Sequence, residues 1–426
     1  MMAPRHRMAV VGSGISGLAA AWLLAKKHDV TLFEANHYFG GHSNTVDVTL
    51  DGITAPVDTG FLVHNDLTYP NLVALFQHLG VRTHESQMTF SVAVEAAGLE
   101  WAGTNLDSVF CQRRNLLRPQ FWWMLMDILR FNRQAQHYLD TIPDEHYTLG
   151  NLLDQHGYGN TMREWYLLPM AAAIWSCSTA SMLEFPAATF LRFCLNHRLL
   201  QINERPVWKT VMHGSREYVK KMLSSIPDAR LDCPITAIQR SADHVAIHSK
   251  HGVEYFDHVI LACHAPTSLS LLDCDADERR ILSAFHTQPN LAVLHTDAAL
   301  LPTNQKAWAA WNYNMPIRSR PQYPVTVSYL LNHLQPLPWH QPVIVTLNPH
   351  TDIRQDKVLA QFEYAHPLMD ATAIAAQKKL PDIQGRNRAW FCGAWSGYGF
   401  HEDGLKSALR VARALGVEAP WKAVYD

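Results

Sequence analysis

The sequence predicts an α/β protein of two interleaved domains, one built on a parallel nucleotide-binding sheet and the other of mixed α+β type. Three observations support this prediction. An apolar strand, a glycine-spaced turn and a helix follow one another at the start of the chain. A second glycine-rich loop runs into an amphipathic helix near its end. The length of 426 residues also exceeds what one compact core usually organises.

Composition narrows the functional class. With 48% hydrophobic and 17% charged residues, the chain is typical of a folded globular protein. The net charge of −2 does not indicate nucleic acid as a partner. The seven cysteines include no C-x-x-C pair, so we expect a reducing, cytoplasmic location and no metal site.

The first element is a strand–turn–helix unit. Residues 8–11 form an apolar strand, and Gly12, Gly14 and Gly17 then give the spacing G-x-G-x-x-G before a helix over 18–25. The first glycine allows a tight turn, the second lets the backbone approach a diphosphate, and the third lets the helix pack on the strand. The phosphates are expected at the helix N-terminus, where unpaired N–H groups favour negative charge.

A basic start followed by an apolar run also resembles a secretory signal. Arg5 and Arg7 precede the run that begins at Met8. The spacing of the three glycines and the strand that follows them favour the nucleotide-binding interpretation. No other stretch is long and apolar enough for a membrane span.

The second strand, over 30–35, brings an acidic residue to the expected place. Glu34 lies near its end and is expected to accept hydrogen bonds from adenosine ribose hydroxyls. Either NAD or FAD fits these features. The stretch GGHSNT at 40–45 then resembles the G-G-x-x-x-T extension of flavoproteins with two dinucleotide-binding domains, which favours FAD over an ordinary glycine turn.

The late loop has four glycines within twelve residues, at Gly393, Gly397, Gly399 and Gly404. A strand over 390–392 precedes it. We expect two of these glycines, Gly397 and Gly399, to leave room for a flavin ring and its ribityl chain. The following helix would direct its N-terminus at the flavin and stabilise negative charge there.

The helix after this loop shows apolar residues at helical spacing. They are Leu405, Ala408, Leu409, Ala412 and Leu415. Gly416 is the expected C-terminal cap.

The chain resembles the flavin amine oxidase and phytoene desaturase superfamily of FAD-dependent oxidoreductases. The two glycine motifs, the late loop, the segment Asp232–Thr236 and the strands over 244–266 carry this resemblance. Four further stretches are similar to a subgroup found beside or fused to cyclopropane fatty acid synthases, which includes methylated unsaturated fatty acid desaturases. These stretches are VDTGFLVHNDLTYPNL (57–72), LPMAAAIWS (168–176), AWAAWNY (307–313) and FCGAWSGYGFHEDG (391–404).

The resemblance implies a glutathione-reductase-type FAD domain interleaved with an amine-oxidase-like substrate domain. The FAD domain would comprise 1–65, 205–270 and 385–426, and the substrate domain 66–204 and 271–384. We expect the first insertion, 66–204, to be mostly helical. The second insertion contains three predicted strands of a sheet above the flavin: NLAVLHTD (290–297), VTVSYLLN (325–332) and VIVTLNP (343–349).

The motifs and the resemblance together indicate the cofactor contacts. These are Gly12, Gly14, Ile15, Ser16, Gly17, Glu34, Ala35, Gly40, Gly41, His42, Thr59, Gly60, Phe61, Ile235, Ala262, Gly393, Glu402, Asp403 and Gly404. Position 42 is His where amine oxidases usually have Arg. Cys392 is expected to be a buried apolar side chain, so we predict non-covalent FAD. Since no second G-x-G-x-x-G unit is present, the substrate is expected to supply the electrons.

Candidate catalytic residues are His64, Tyr313 and His401, because desaturation needs a base beside the carbon that loses a hydride. His264 is expected to pack near the cofactor, and Ser215 to cap a helix. Three reactions remain open: desaturation of fatty acyl lipids, double-bond isomerisation of the same lipids, and amine oxidation, for which Trp395 and Tyr398 are the candidate aromatic cage.

The stretch RRNLLRPQFWWMLMDILRFNR (113–133) interleaves bulky apolar residues with arginines. It suits either a helix lying at an anionic lipid surface or a core helix with solvated ends. The first interpretation predicts peripheral contact with the inner membrane face. A functional link to a cyclopropane fatty acid synthase-like methyltransferase is also implied by the subgroup.

Overall fold

The computed structural model describes residues 5–144, 146–201, 205–316, 322 and 324–425, and the predicted domain boundary at residue 204 lies outside them. Within these ranges the strands are β1 (Arg7–Val11), β2 (Asp29–Phe33), β3 (Thr45–Leu50), β4 (Ile53–Asp58), β5 (His64–Asn65), β6 (Thr83–Ser86), β7 (Phe90–Val94), β8 (Leu99–Ala102), β9 (Trp208–Val211), β10 (Asp228–Arg230), β11 (Ile235–Arg240), β12 (Val245–Ser249), β13 (Gly252–Phe256), β14 (His258–Leu261), β15 (His286–His295), β16 (Trp311–Met315), β17 (Thr326–Leu330), β18 (Ile344–Leu347), β19 (Val358–Leu368) and β20 (Ala389–Phe391).

The helices occupy the connections between these strands. They are α1 (Ile15–Leu24), α2 (Pro70–Leu79), α3 (Leu106–Val109), α4 (Pro119–Thr141), α5 (Leu149–Gln155), α6 (Asn160–Met162), α7 (Leu168–Trp175), α8 (Thr179–Leu183), α9 (Ala187–Asn196), α10 (Arg216–Leu223), α11 (Ala265–Leu271), α12 (Ala276–Leu282), α13 (Leu331–Leu334), α14 (Ala371–Gln377) and α15 (His401–Ala414). In the described part of the chain, no helix is long and apolar enough to cross a membrane.

A five-stranded parallel sheet has the order β10-β2-β1-β14-β20. Its strands come from three distant parts of the chain. The middle strand is β1, which pairs in parallel with β2 on one side and with β14 on the other. The apolar run that resembled a signal is therefore β1 and α1. The sequence placed α1 three residues late, at Leu18 instead of Ile15, because periodicity alone does not detect a helix that is buried on all sides.

A seven-stranded sheet has the order β19-β15-β18-β17-β16-β7-β8. The three predicted strands of the second insertion correspond to β15, β17 and β18, whereas the edge strand β19 was not predicted. The first insertion is less purely helical than expected, since it also contributes β7 and β8 to this sheet. The largest apolar cluster lies between this sheet and the helices of the first insertion.

Two further apolar clusters pack on opposite faces of the parallel sheet, and a small fourth one surrounds Leu301. One contains α1 and α15, whose buried faces meet, and the other contains α12 and the hairpin strands β11 and β12. The division of the chain into the two predicted domains stays a prediction, although the five parallel strands all fall within the segments assigned to the FAD domain.

Candidate functional site

The turn between β1 and α1 combines close packing with open space. A Cβ atom at Gly17 would lie 1.8 Å from the carbonyl oxygen of Gly12, and Gly12 itself has a φ of +100°. A Cβ atom at Gly14 would meet no protein atom within 4 Å. Gly12 and Gly17 therefore hold the turn and the helix together, while Gly14 faces a space that a ligand can fill.

Glu34 is held at the end of β2 beside this turn and is 7% exposed. Its Oε2 accepts hydrogen bonds from the backbone N–H of Ser13 at 2.9 Å and from the Ser13 hydroxyl at 2.6 Å. Its Oε1 accepts one from the N–H of Asn36 at 2.9 Å. A carboxylate has about four acceptor sites, so capacity remains for ribose hydroxyls. The sequence did not indicate Ser13 as the residue that orients this carboxylate.

The second glycine pair folds against the first turn. The N–H of Gly40 donates to Ser13, with its carbonyl and hydroxyl oxygens each at 3.1 Å. A Cβ atom at Gly41 would lie 3.1 Å from the Cα of Gly14. Two glycine motifs that are separated in sequence thus meet in space, as a diphosphate between them requires.

His42 follows this pair and faces β19. Its ring stacks on Tyr364 with a centroid distance of 4.9 Å and lies 5.3 Å from His366. Its Nε2 is buried and has no hydrogen-bond partner among the described residues. Loss of hydration lowers the pKa of His42 well below its ordinary value, and the nearby imidazoles, His366 first, lower it further.

Tyr364 and His366 were missed by the sequence analysis. They stand two residues apart on β19, so their side chains share one face of the strand. The alternation of Phe362, Tyr364 and His366 was the signal that could have identified them. Burial lowers the pKa of His366 to about 4, so it is neutral at physiological pH.

His401 begins α15 and is held by two hydroxyl groups. Its Nε2 lies 2.9 Å from Ser43 Oγ and 3.2 Å from Tyr218 Oη, and these two hydroxyls also bond to each other. Its ring stacks on Phe61 with a centroid distance of 3.8 Å. Burial lowers the pKa of His401 to about 3.

His64 contacts the same phenylalanine at a longer distance. Its ring centroid is 6.4 Å from that of Phe61, and its edge contact with Phe76 is at 5.2 Å. Burial lowers its pKa to about 4. His64 Nδ1 is buried without a partner among the described residues, so this nitrogen is left for a ligand.

Tyr313 is distant from His366 along the seven-stranded sheet. It lies on β16, which β15, β18 and β17 separate from β19. At about 4.8 Å between strands, this places it roughly 19 Å from β19 along the sheet. Burial raises its pKa, which keeps the phenol neutral. The structure therefore separates Tyr313 from Tyr364 and His366 on β19, and its proposed role beside His64 and His401 stays a prediction.

Asp58, at the end of β4, anchors a buried polar network behind the site. It accepts hydrogen bonds from Thr45 Oγ1 at 2.5 Å, from the N–H and hydroxyl of Ser215, and from Gln335 Nε2 at 2.9 Å. Burial raises its pKa to about 6 despite these bonds. Ser215 is the N-cap residue of α10, but the prediction that its side chain caps the helix was wrong, because its hydroxyl donates to Asp58 instead.

The neighbouring Thr59 connects the network to β19. Its hydroxyl lies 2.8 Å from Tyr364 Oη, which also accepts a hydrogen bond from Asn44 Nδ2 at 3.1 Å. Tyr364 is therefore fixed on both sides beneath His42. Thr59 and Phe61, both predicted cofactor contacts, lie next to the histidines, and the carbonyl of His42 accepts a hydrogen bond from the N–H of Phe61 at 2.7 Å.

The glycines of the late loop have causes other than those expected. A Cβ atom at Gly397 would lie 2.5 Å from Asp403 Oδ1, and one at Gly393 would lie 2.2 Å from Trp395 Nε1. A Cβ atom at Gly404 would lie 2.8 Å from side-chain atoms of both Ile15 and Ser16. Contacts within the protein therefore give these three glycines a cause that needs no flavin, and the expectation that Gly397 makes room for the flavin stays a prediction.

The two acidic residues of this loop use their carboxylates to bind backbone N–H groups. The carboxylate of Glu402 accepts hydrogen bonds from the N–H groups of Asn71 and Leu72 at 3.1 and 3.0 Å. That of Asp403 accepts one from the N–H of Phe400 at 3.0 Å. Only their backbone N–H groups, in the first turn of α15, are placed to meet a ligand.

The two aromatic residues considered as an amine cage separate into different clusters. Trp395 is 2% exposed, packs on Phe285 at 4.6 Å and donates its Nε1–H to the carbonyl of Cys263 at 3.1 Å. Tyr398 packs on Phe193 at 5.7 Å, in the cluster of the substrate side. These contacts leave no cage formed by this pair.

The remaining predicted contacts border the same space. Ala262 follows β14, and its N–H donates to the carbonyl of Val11 at 2.9 Å, directly before Gly12. Ile235 begins β11 and is buried, whereas Ala35 after β2 is exposed. A Cβ atom at Gly60 would lie 2.3 Å from the carbonyl oxygen of His42. Cys392 is fully buried among apolar side chains, as predicted.

These observations test whether the chain fits FAD. Three features suit a dinucleotide: the open side of Gly14, the second glycine turn beside it, and the Glu34 carboxylate, which can accept further hydrogen bonds. The buried nitrogens of His42 and His64 have no partner among the described residues, and a flavin ring would supply polar partners to them. The residues therefore fit the group, and the two glycine turns with Glu34 would hold its diphosphate and ribose.

Comparison with known proteins also indicates a flavin-binding protein. The family model described as flavin containing amine oxidoreductase matches residues 15–309. A sequence search of curated proteins found no match.

Solved structures similar to this chain include three enzymes of different activity. A CLA-producing fatty acid isomerase from P. acnes superposes with a TM-score of 0.69 at 17% identity, covering 96% of this chain and 98% of that one. Wild-type putrescine oxidase bound to putrescine gives 0.68 at 13%, covering 97% and 99%. Cyclohexylamine oxidase from Brevibacterium oxydans IH-35A gives 0.67 at 14%, covering 97% and 100%. At these identities the likeness shows the shared fold.

Proposed function

The chain belongs to the family of flavin-containing amine oxidoreductases, and on this premise we propose that it is a desaturase of fatty acyl lipids. It is an FAD-dependent oxidoreductase, and the proposal concerns its substrate. We infer that it introduces a further double bond into an unsaturated, methyl-branched acyl chain. Such a substrate must be supplied by a methyl-transferring enzyme, which is why the link to a cyclopropane fatty acid synthase-like methyltransferase stays part of the proposal.

One observation carries the choice of an acyl substrate: aromatic side chains line the substrate side of the late loop, and the charged groups beside them are the basic Arg192, bonded to Tyr398, and Lys406 near His197. Phe400 stacks on Phe193 at 5.1 Å, and Trp175 packs on the same ring at 4.8 Å. His197 lies 4.0 Å from it, with a pKa lowered to about 4 by burial. An apolar chain gains free energy by leaving water for such a wall, at about 25 cal/mol per Å² of apolar surface buried.

The same region offers little to a charged amine. The carboxylates of Glu402 and Asp403 are turned to backbone N–H groups, and that of Asp58 is enclosed by its own hydrogen-bonding partners. The candidate aromatic cage is not formed, because Trp395 faces Phe285. Amine oxidation therefore ranks below acyl chemistry, although two of the similar structures are amine oxidases by name.

When bound, FAD supplies two-electron hydride acceptance. The chain's own contribution is to orient the acyl chain, exclude water and take up a proton. His401 is the residue we propose for the proton. Ser43 and Tyr218 contact its Nε2, and no described residue is hydrogen-bonded to its Nδ1, so Nδ1 is the atom that would receive the proton.

The depressed pKa of His401 suits this role. An imidazole with a pKa of about 3 is neutral at physiological pH and free to accept a proton, but it is a weak base. A C–H group next to a carbon that has lost a hydride is strongly acidic, so a weak base suffices. His64, with a pKa of about 4 and an unpartnered Nδ1, is the second candidate.

The likeness to a fatty acid isomerase supports one alternative, a double-bond isomerase acting on the same lipids. In that reaction the hydride returns to another carbon, so no external acceptor is consumed and the product has the mass of the substrate. The site described here serves both reactions, and the product distinguishes them.

An anaerobic absorbance titration of the purified flavoprotein tests the proposal. The probes are a methyl-branched unsaturated acyl phospholipid, the corresponding free acid, and a set of monoamines and polyamines. Loss of the flavin band with lipid, together with a product lighter by two hydrogens, is the expected result. Loss of the band with amines alone would overturn the proposal, and an isomeric product of unchanged mass would establish the isomerase.

Two variants sharpen the assignment of the base. His401→Gln keeps the ring-sized side chain and its hydrogen bonds but cannot take up a proton, so we expect the rate of flavin reduction to fall by about 10²-fold or more. His251→Gln is the matched control, because His251 is exposed in the turn between β12 and β13, and it should reduce flavin at the wild-type rate. Equal losses in both variants would remove His401 from the reaction.

A further inference from the structure

Exposed apolar side chains are concentrated on one small part of the surface. Fifteen large hydrophobic residues of the described chain are exposed, and seven of them lie between Leu106 and Leu129. They are Leu106, Leu116, Leu117, Trp122, Trp123, Met126 and Leu129. We call these seven residues the apolar face.

The apolar face is a built surface and not a set of scattered side chains. Trp123, Met126 and Leu129 recur at a spacing of three on α4, so they share one side of the helix. The opposite side of α4 packs into the large apolar cluster through Phe121 and Met124. Trp122 joins the helix to the preceding turn, since its Nε1–H donates to the carbonyl of Leu116 at 3.0 Å.

Exposure within this face is extreme for such residues. Leu117 is 89% exposed, Trp123 57% and Met126 56%. Apolar patches of this kind on a soluble protein mark a surface that binds something. Tryptophan is favoured where one part of the ring is apolar and the other wet, as at the boundary of a lipid bilayer.

The charges around the face are predominantly positive. Five arginines and one aspartate fall within 113–133. Arg113 pairs with Asp107, and Arg130 pairs with Asp127 at 2.9 Å. Exposed Arg133 forms no ion pair with any residue in the described ranges, so its charge is available to a partner.

We propose that the apolar face docks on the surface of an anionic phospholipid bilayer. The helix α4 would lie in the plane of the interface, with Trp123 and Met126 among the acyl chains and the arginines at the headgroups. A second copy of the chain is a poorer occupant, because a two-fold dimer through this face would bring like-charged arginines together.

The docking proposal does not depend on the proposed reaction, although a lipid-derived substrate would reach the enzyme at such a surface. Binding to vesicles and bleaching of the flavin are separate measurements. Failure of one therefore leaves the other standing, and the two proposals can be rejected independently.

The test is sedimentation of the full-length flavoprotein with vesicles of phosphatidylcholine, with and without phosphatidylglycerol. We expect binding to the anionic vesicles that weakens as salt is added, because salt screens the attraction between the arginines and the lipid headgroups. The double variant Trp123→Ser/Met126→Ser should bind at least about tenfold more weakly. Arg133→Gln should weaken binding about fivefold and only for anionic vesicles, the factor expected for one arginine near an anionic leaflet.

The matched control is Val253→Ser/Tyr255→Ser on β13, where the side chains are 44% and 53% exposed but lie outside the apolar face. It should bind like the wild type, and all variants should unfold at the wild-type temperature because the changed side chains are exposed. Equal binding of wild type and Trp123→Ser/Met126→Ser, or no preference for anionic vesicles, would overturn the proposal. So would a solution dimer that this double variant dissociates.

Discussion

The early turn at 12–17 and the late loop at 393–404 are both rich in glycine, yet the structure gives them different causes. In the early turn, Gly17 is required by the carbonyl of Gly12, whereas Gly14 faces open space. In the late loop, Gly397 is required by the side chain of Asp403 and Gly404 by Ile15 and Ser16 of α1. One motif makes room for a ligand, and the other makes room for the protein itself.

The difference shows that glycine density alone does not identify a cofactor contact. The early turn is a fixed unit whose strand, turn and helix are adjacent in sequence, so spacing predicts its function. The late loop matters because it brings α15 against α1 and places His401 beside Phe61. The contribution of this loop to the site is therefore positional.

We expect the largest effect on stability from Gly17→Ala, because the added methyl group would collide with the backbone and not with a movable side chain. Gly17→Ala would place a Cβ atom 1.8 Å from a backbone oxygen that cannot move without shifting the turn. We expect the free energy of unfolding to fall by about 3 kcal/mol or more, with loss of bound flavin. Chemical denaturation followed by tryptophan fluorescence measures this, and a wild-type midpoint would show that the turn yields easily.

Gly14→Ala tests the open space directly. Since a Cβ atom there meets no protein atom within 4 Å, the stability of the flavin-free protein should stay within about 0.5 kcal/mol of the wild type. Flavin affinity should fall by about tenfold or more, because the methyl group occupies the position where the diphosphate approaches. Unchanged affinity in an equilibrium flavin titration would contradict the assignment of this space.

Gly397→Ala examines the late loop. The new methyl group would displace Asp403, whose carboxylate accepts a hydrogen bond from the N–H of Phe400. We expect a loss of about 1–2 kcal/mol in unfolding free energy, comparable to the loss of a helix cap. In contrast to Gly14→Ala, stability should change more than flavin affinity. The reverse pattern would support the original interpretation of this loop as a flavin contact.

The last prediction concerns pH. Burial lowers the pKa of His401 from 6.5 to about 3. Between these two pH values, His401 therefore binds a proton in the unfolded chain but not in the folded chain. Its contribution to stability is present above about pH 6.5 and is lost as pH falls toward the folded pKa. In His401→Gln, the decline of unfolding free energy below pH 6.5 should be shallower by up to about 1.4 kcal/mol per pH unit.

This pH comparison has an internal control. Asp58 and Asp403 have pKa values raised to about 6, so they favour the folded state below that pH and act in the opposite direction. Both groups are present in the wild type and the variant, and their effect cancels in the difference. Identical pH profiles for the two proteins would show that His401 takes up a proton equally well in both states.

Much of the parallel sheet could be predicted because its signals are local. The strand, turn and helix at 8–25 and the strand carrying Glu34 needed only spacing and apolar pattern. The larger sheet was predicted only in part. β19 escaped detection because its residues alternate between exposed and half-buried positions and form an edge, so its apolar pattern is weak.

The candidate histidines show the same limit. His64 and His401 were proposed from residue type, and the structure places both rings near that of Phe61. Tyr313 was proposed on the same basis, but strand order moves it four positions from β19. Residue type predicts what a side chain can do, whereas pairing order decides which side chains meet.

The sequence was sufficient for the features that depend on neighbours along the chain: the nucleotide-binding turn, Glu34, the amphipathic α15 and the apolar-basic pattern of α4. Their physical basis is backbone geometry and periodicity, which act over a few residues. Tertiary packing was needed to join the two glycine turns, to set Tyr364 and His366 against His42, and to hold His401 between Ser43 and Tyr218. These contacts join residues up to 358 positions apart, and only the folding of distant strands and helices onto one another creates them.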